Sequence, residues 1–152
     1  MSINASARTV MERCKELAGY SEEPDRLTRR FASKAMQQVN ETVKIWMQAA
    51  GMNVEQDNIG NLIGRYEASH AGAKTLLLGS HLDTVRDAGK YDGPLGVMVA
   101  LACVERLFAC QKRLPFAIEV PAFVDEEATR FTLIGVPIAG MDGRLVAVLK
   151  MG

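Results

Sequence analysis

The sequence predicts an α/β fold in which helices flank a mixed β-sheet. Two stretches, 76–78 and 116–124, are mostly apolar with little polar alternation, which is typical of strands buried in a sheet. The segment between them, 94–110, is apolar on nearly every side, which indicates a helix buried against the sheet. Together with a helix and a hairpin earlier in the chain, these elements form an α/β arrangement.

The first third of the chain predicts two helices. Residues 5–17 have helical composition and stop at Gly19. Ser33 is the predicted N-cap of a second helix, which ends before Gly51. Apolar side chains recur there at intervals of three and four residues and share one face, at Val39, Val43, Trp46 and Ala50. Trp46 is therefore predicted to belong to the core.

Two short strands are predicted next, and they form a hairpin. Residues 52–56 alternate in polarity, and 62–66 form a second strand-like segment beyond a turn rich in Asn and Gly. The connection that follows contains His70, one of the two histidines. No ligand-type residue is paired with His70, so we expect it to be solvated.

Composition and charge exclude several classes of partner. At 152 residues the chain has the length of one domain with a real core. Lys plus Arg and Asp plus Glu are equal at 18 each, so no excess charge steers the protein to nucleic acid or to an anionic membrane. We find no apolar run typical of a signal peptide or a membrane span and expect a cytoplasmic location.

The cysteines give no sign of a disulfide framework. Cys14, Cys103 and Cys110 are odd in number and lack metal-type spacing. The last two lie seven residues apart in the predicted third helix and so on one face. We expect both to be buried there as small hydrophobic side chains.

Ligand-type residues follow the first apolar strand. His81 and Asp83 are two residues apart and point to one side if the extended geometry continues. That spacing lets one ring nitrogen of His81 bind a metal ion while the Asp83 carboxylate accepts a hydrogen bond from the other. Asp92 follows in Asp-Gly-Pro-Leu-Gly, where Gly93 and Pro94 indicate a helix start. The alternative is that His81 and Asp83 form an ordinary loop hydrogen bond.

A second cluster strengthens the case for a metal site. The strand at 116–124 is followed directly by Asp125, Glu126 and Glu127. The carboxyl ends of parallel strands line the crevice where α/β proteins bind ligands. Taken alone, the acidic residues are equally consistent with a solvated turn. Beside the first cluster, they predict a divalent-metal site.

These motifs resemble those of the zinc-dependent amidohydrolases that act on allantoate and on N-carbamoyl-L-amino acids, relatives of aminoacylase and the zinc carboxypeptidases. The resemblance is carried in order by Asp57–Arg65, by Gly-Ser-His-Leu-Asp-Thr-Val, by Asp-Gly-Pro-Leu-Gly-Val and by Asp-Glu-Glu-Ala-Thr-Arg-Phe. It extends to about Phe131. It implies a partial zinc-exopeptidase-like catalytic domain.

The resemblance also implies roles for individual residues. His81 and Glu127 would each bind one of two divalent ions, zinc or else manganese or cobalt, and Asp92 would bridge them. Asp83 would orient the His81 ring. Glu126 would be the general base that deprotonates the attacking water.

The family continues after the acidic motif with a lid or dimerisation domain and two further metal-binding histidines. Residues 132–140 follow the family pattern only in part. We therefore expect residues 1–152 to be the N-terminal portion of the metal-dependent catalytic domain, with the lid and dimerisation domain absent and the chain inactive by itself. The resemblance implies a homodimer for the parent enzymes.

The implied reaction is hydrolysis of a linear amide C–N bond in a small ureido or carbamoyl compound. The sequence does not choose between allantoate and N-carbamoyl amino acids. Two alternatives stay open: a zinc amino- or carboxypeptidase, and a non-catalytic remnant that binds a partner.

Overall fold

The computed structural model describes residues 3–127, 129 and 145–148. Along the chain the elements are α1 (Ile3–Leu17), α2 (Lys34–Ala49), β1 (Asn53–Gln56), β2 (Leu62–Tyr66), β3 (Thr75–His81), α3 (Pro94–Ala109), β4 (Ala117–Phe123) and β5 (Leu145–Val148). The predicted helices and the first four strands are confirmed, with bounds that differ by a few residues. The strand β5 was not predicted.

The strands form one mixed sheet in the order β1-β2-β4-β3-β5. The predicted hairpin is confirmed, since β1 and β2 pair antiparallel, and β2 also pairs antiparallel with β4. In contrast, β3 runs parallel to both β4 and β5. The α/β fold with a mixed sheet and flanking helices is therefore confirmed. The uncertain family pattern at 132–140 lies outside the described residues.

Local signals at the helix ends act as predicted. The Ser33 side chain accepts a hydrogen bond from the Met36 N–H at 3.1 Å and so caps α2. Pro94 opens α3, where its missing N–H and fixed φ are tolerated. Trp46 packs against the core but is only partly buried, with the Arg13 guanidinium over its ring.

Helix α3 corrects two expectations. It is not buried on all sides, since Val99 and Phe108 are about two-fifths exposed, at 41% and 44%. Cys103 and Cys110 are exposed, not buried as predicted, and only Cys14 is buried. The seven-residue spacing does place the two cysteines on one face, but in a helix apolar on most sides the pattern does not reveal which face meets the solvent.

Strand β3 also differs from its prediction. Burial alternates along it, with Leu77 buried and Leu76 and Leu78 half-buried. An apolar run without polar residues therefore did not indicate equal burial on both faces of the sheet. One face carries Leu77 and His81, two positions of the same pleat.

The hairpin loop holds the end of β4 through buried polar contacts. Asn61 is 2% exposed, and its side-chain oxygen accepts a hydrogen bond from the Val124 N–H at 3.0 Å. Its amide nitrogen donates to Asp57 at 2.8 Å, and Asp57 in turn accepts from three backbone N–H groups of the loop, those of Ile59, Gly60 and Asn61. Because Val124 directly precedes the acidic residues, this loop fixes the position from which they start.

Replacing Asn61 by Ala should lower the free energy of unfolding by about 1–3 kcal/mol, because the buried Val124 N–H loses its acceptor. Urea unfolding followed by circular dichroism measures the change. The control is Asn58→Ala, at an exposed position of the same loop, which should stay within about 0.5 kcal/mol of the wild type. Equal losses in the two variants would contradict this account of Asn61.

Candidate metal centre

The parallel pairing of β3 and β4 determines where the candidate site lies. Ser80 is opposite Ala122 and His81 is opposite Phe123, so the two strands end together at one edge of the sheet. The chain after β3 carries Asp83, and the chain after β4 carries the acidic motif. The start of α3 also contributes, through Asp92.

The His81 ring is held in one tautomer. Its Nδ1 lies 3.0 Å from the backbone carbonyl oxygen of Asp83, and a carbonyl can only accept. Nδ1 therefore carries the proton, and the lone pair lies on Nε2. This corrects the predicted contact, since the Asp83 carboxylate is farther from Nδ1, at 3.7 Å. That carboxylate instead accepts a hydrogen bond from the Glu127 N–H at 3.3 Å.

Asp83 connects the two loops of the site, the one after β3 and the one after β4. The residue is 0% exposed, and its Oδ2 is the atom that accepts from Glu127. Its Oδ1 is buried without a hydrogen-bond partner among the residues that the structure describes. Burial raises the pKa of this carboxyl, and the neighbouring His81 ring and the backbone N–H groups of Glu127 and Glu126 lower it in part. A cation nearby would favour the charged form.

His81, Asp92 and Glu127 come together at the sheet edge. One ligand atom from each lies within 4.8 Å of the others, and within residues 3–127, 129 and 145–148 this is the one such group. The His81 Nε2 is 3.8 Å from a carboxylate oxygen of Glu127 and 3.8 Å from one of Glu126. The structure thus brings together all five residues that the sequence predicts for the site.

Burial and the neighbouring carboxylates raise the proton affinity of Glu127. Burial is the largest cause of a raised pKa at Glu127, and the His81 ring opposes it. The carboxylates of Asp92, Glu126 and Asp83 raise this pKa further by repulsion. Negative charge is therefore concentrated around the His81 lone pair, which is an arrangement that a divalent cation would stabilise.

Gly93 allows the approach of Asp92 to the histidine. A Cβ atom built on Gly93 would lie 2.6 Å from two atoms of the His81 ring and 2.7 Å from the His81 carbonyl oxygen. Its φ of +79° also disfavours any residue with a side chain. The sequence indicated a helix start at this glycine but not its contact with the ring.

Two further residues of the site's surroundings were not predicted. Arg29 is fully buried and donates to the Leu82 carbonyl at 2.8 Å, and Asn61 holds Val124 as described above. No local pattern distinguishes Arg29 from its exposed neighbour Arg30. The expectation for His70 is met, since it is exposed in the connection before β3 and is not a member of the metal-type group.

Two characterised enzymes are similar in sequence to most of this chain. "Allantoate deiminase 1" of Glycine max is 39% identical over 124 residues, which are 80% of this chain and 26% of that enzyme. An N-carbamoyl-L-amino-acid amidohydrolase of Pseudomonas sp. (strain NS671) is 33% identical over 131 residues, 86% of this chain and 32% of that enzyme. The chain therefore spans between a quarter and a third of the length of these relatives.

A solved structure has the same fold as this chain. A hydantoinase/carbamoylase family amidase from Burkholderia ambifaria superimposes with a TM-score of 0.79 at 28% identity, over 85% of this chain and 32% of that one. The fold is thus that of the zinc-exopeptidase-like carbamoylase domains. The sequence profile of peptidase family M28 matches residues 61–143, more than half of the chain, and this segment includes all five candidate site residues. The chain belongs to peptidase family M28.

Proposed function

We propose that this chain carries the cation-binding and proton-transferring part of a hydrolase that cleaves a linear C–N bond other than a peptide bond. The observation that carries the proposal is the convergence of His81, Asp92 and Glu127 within 4.8 Å. The names of the relatives, an allantoate deiminase and N-carbamoyl amino acid amidohydrolases, support the class of bond.

The donor set fits a divalent cation. One imidazole and two carboxylates are ligands that zinc accepts, and manganese and cobalt bind the same groups. The His81 lone pair lies on Nε2 and can bind an ion, because the Asp83 carbonyl fixes the proton on Nδ1. We propose that His81 and Glu127 would each hold one of two ions and that Asp92 would be a ligand of both.

A bound divalent ion would supply Lewis-acid polarisation of the scissile carbonyl and would favour ionisation of water. The chain's own contribution is positional. Glu126 lies three residues after β4, and its side chain is one-third exposed, so substrate and water can reach it. We propose that it takes a proton from the attacking water and returns it to the leaving nitrogen. Asp83 holds the Glu127 backbone and the His81 turn in fixed relation.

The proposed substrates are small ureido or carbamoyl compounds such as allantoate or an N-carbamoyl amino acid. A second candidate is hydrolysis of a peptide bond, which is favoured by the description of the matching family as a peptidase family. The two candidates share the metal site and differ in the substrate contacts.

A cytoplasmic location stays an expectation. No helix in the described part of the chain has both the length and the apolar character needed to cross a membrane.

The first test is metal binding by the purified chain, measured by calorimetric titration with zinc and by the visible spectrum with cobalt. We expect His81→Ala to weaken binding at least about tenfold, because the nitrogen ligand is lost. The matched control is His70→Ala, which removes the other histidine, at an exposed position, and should leave the affinity unchanged. Absent binding by the wild type, or equal losses in both variants, would refute the proposed site.

The neighbouring glutamates should separate in the same titration. Glu127→Gln removes a proposed ligand and should weaken binding, whereas Glu126→Gln should retain it, because Glu126 is proposed to move protons rather than bind the ion.

We expect little ammonia release from allantoate or N-carbamoyl amino acids by the isolated chain, since the group found among the described residues supplies three ligands for two ions. Metal-dependent turnover that disappears in Glu126→Gln would support the chemistry and contradict the expected inactivity.

Gly93→Ala should displace the His81 ring and weaken cobalt binding. The matched control is Gly72→Ala, since Gly72 also has a positive φ, of 73°, but a Cβ there would meet no atom within 4 Å. Gly72→Ala should lose about 1–3 kcal/mol of stability through backbone strain, and Gly93→Ala should lose more, because its Cβ would also overlap the His81 ring and carbonyl oxygen. Only Gly93→Ala should change the cobalt spectrum, and an unchanged spectrum would show that the contact with His81 does not position the ring.

A further inference from the structure

We infer that Arg29 is a positioning residue, which holds the turn Leu82–Thr84 and thereby sets the place of His81 and Asp83 at the sheet edge. The functional part of this inference rests on the proposed cation site. Its structural part does not, because it concerns the order of the turn itself.

The Arg29 side chain ties the turn to helix α1. It is 0% exposed, and its Nε donates to the Leu82 carbonyl at 2.8 Å. Its Nη1 donates to the carbonyls of Leu17 and Tyr20, at 2.7 and 3.0 Å, where α1 has just ended. The planar guanidinium donates to these three carbonyl oxygens in different directions. The ammonium group of a lysine does not reproduce this fixed geometry.

The backbone of Arg29 also forms hydrogen bonds with this turn. Its N–H donates to the Thr84 hydroxyl at 2.8 Å, and its carbonyl accepts from the Thr84 N–H at 2.9 Å. Two residues earlier, the Leu27 carbonyl accepts from the Ala88 N–H at 2.9 Å. Asp83 is thus bracketed by Leu82 and Thr84, both of which are bonded to Arg29.

Charge gives Arg29 a second link to the site. Burial lowers its pKa to about 10, and attraction to the Asp83 carboxylate opposes this, so the guanidinium remains charged at neutral pH. Its Nη2 is buried without a hydrogen-bond partner in the described part of the chain, as is the Asp83 Oδ1. A buried cation therefore lies near the carboxylate that supports both loops of the site.

A matched control separates positioning from general stability. Arg13 is also largely buried, with a side chain 16% exposed, and one of its guanidinium nitrogens likewise lacks a partner among the described residues. It pairs with Glu105 at 2.7 Å and stacks on Trp46, which ties α1 to α3 and α2. Replacing it should weaken helix packing without touching the turn.

The experiment compares Arg29→Lys with Arg13→Lys in the full chain. Hydrogen exchange of the Thr84 and Ala88 amides is measured at temperatures where circular dichroism shows both variants folded. In Arg29→Lys, we expect exchange at these two amides to accelerate about tenfold or more relative to exchange at the α3 amides. In Arg13→Lys, the ratio of the exchange rates at these two amides to those at the α3 amides should stay at its wild-type value. Cobalt affinity should fall only in Arg29→Lys.

The outcomes are distinguishable. The inference would be overturned if the Thr84 and Ala88 amides exchanged in Arg29→Lys as they do in Arg13→Lys. It would also be overturned if both variants bound cobalt equally well, even where the wild type binds cobalt tightly. Locally accelerated exchange in a protein that binds no cobalt would uphold the role of Arg29 in the turn and refute the proposed function instead. Should Arg29→Lys not fold, Thr84→Val removes one of the bonds to Arg29 and is expected to accelerate exchange at the turn in the same way.

Discussion

The parallel register of β3 against β4 is the constraint on which the whole site depends. Because His81 lies opposite Phe123, the two chains leave the sheet side by side, one toward Asp83 and the other toward the acidic motif. A slip of one residue would turn His81 to the opposite face. The alternation of burial along β3 opposes such a slip, since it would also expose Leu77. Packing of the sheet therefore fixes the site before any ion is bound.

Strand pairing alone leaves the loops beyond the strands free, and buried polar contacts restrict them. Arg29 bonds both flanks of the Asp83 turn, while Asn61 bonds the residue before the acidic motif. Asp83 then joins the two loops through the Glu127 N–H. Concentrated carboxylates repel one another, so this rigid support holds charges together that would otherwise separate. Such pre-organisation is what a metal site and a general base both require.

The site could be predicted from the sequence because its signals are local. Apolar runs end directly at His81 and at Asp125, and Asp92 precedes a helix start, so strand ends and ligand-type residues could be read together. Other features depend on tertiary structure. The carbonyl rather than the carboxylate of Asp83 contacts the ring, Arg29 is buried where Arg30 is exposed, and α3 turns Cys103 to solvent. None of these follows from residue type or spacing, because each depends on which neighbour the fold supplies.

A crystal structure of this chain grown with zinc, with diffraction recorded on both sides of the zinc absorption edge, would test the proposed metal centre directly. We predict an anomalous peak about 2.0–2.2 Å from the His81 Nε2 and from a carboxylate oxygen of Asp92. We also predict that the His81 Nδ1 still donates to the Asp83 carbonyl. A peak at His70 or at surface carboxylates alone, with none beside His81, would contradict the proposed metal centre.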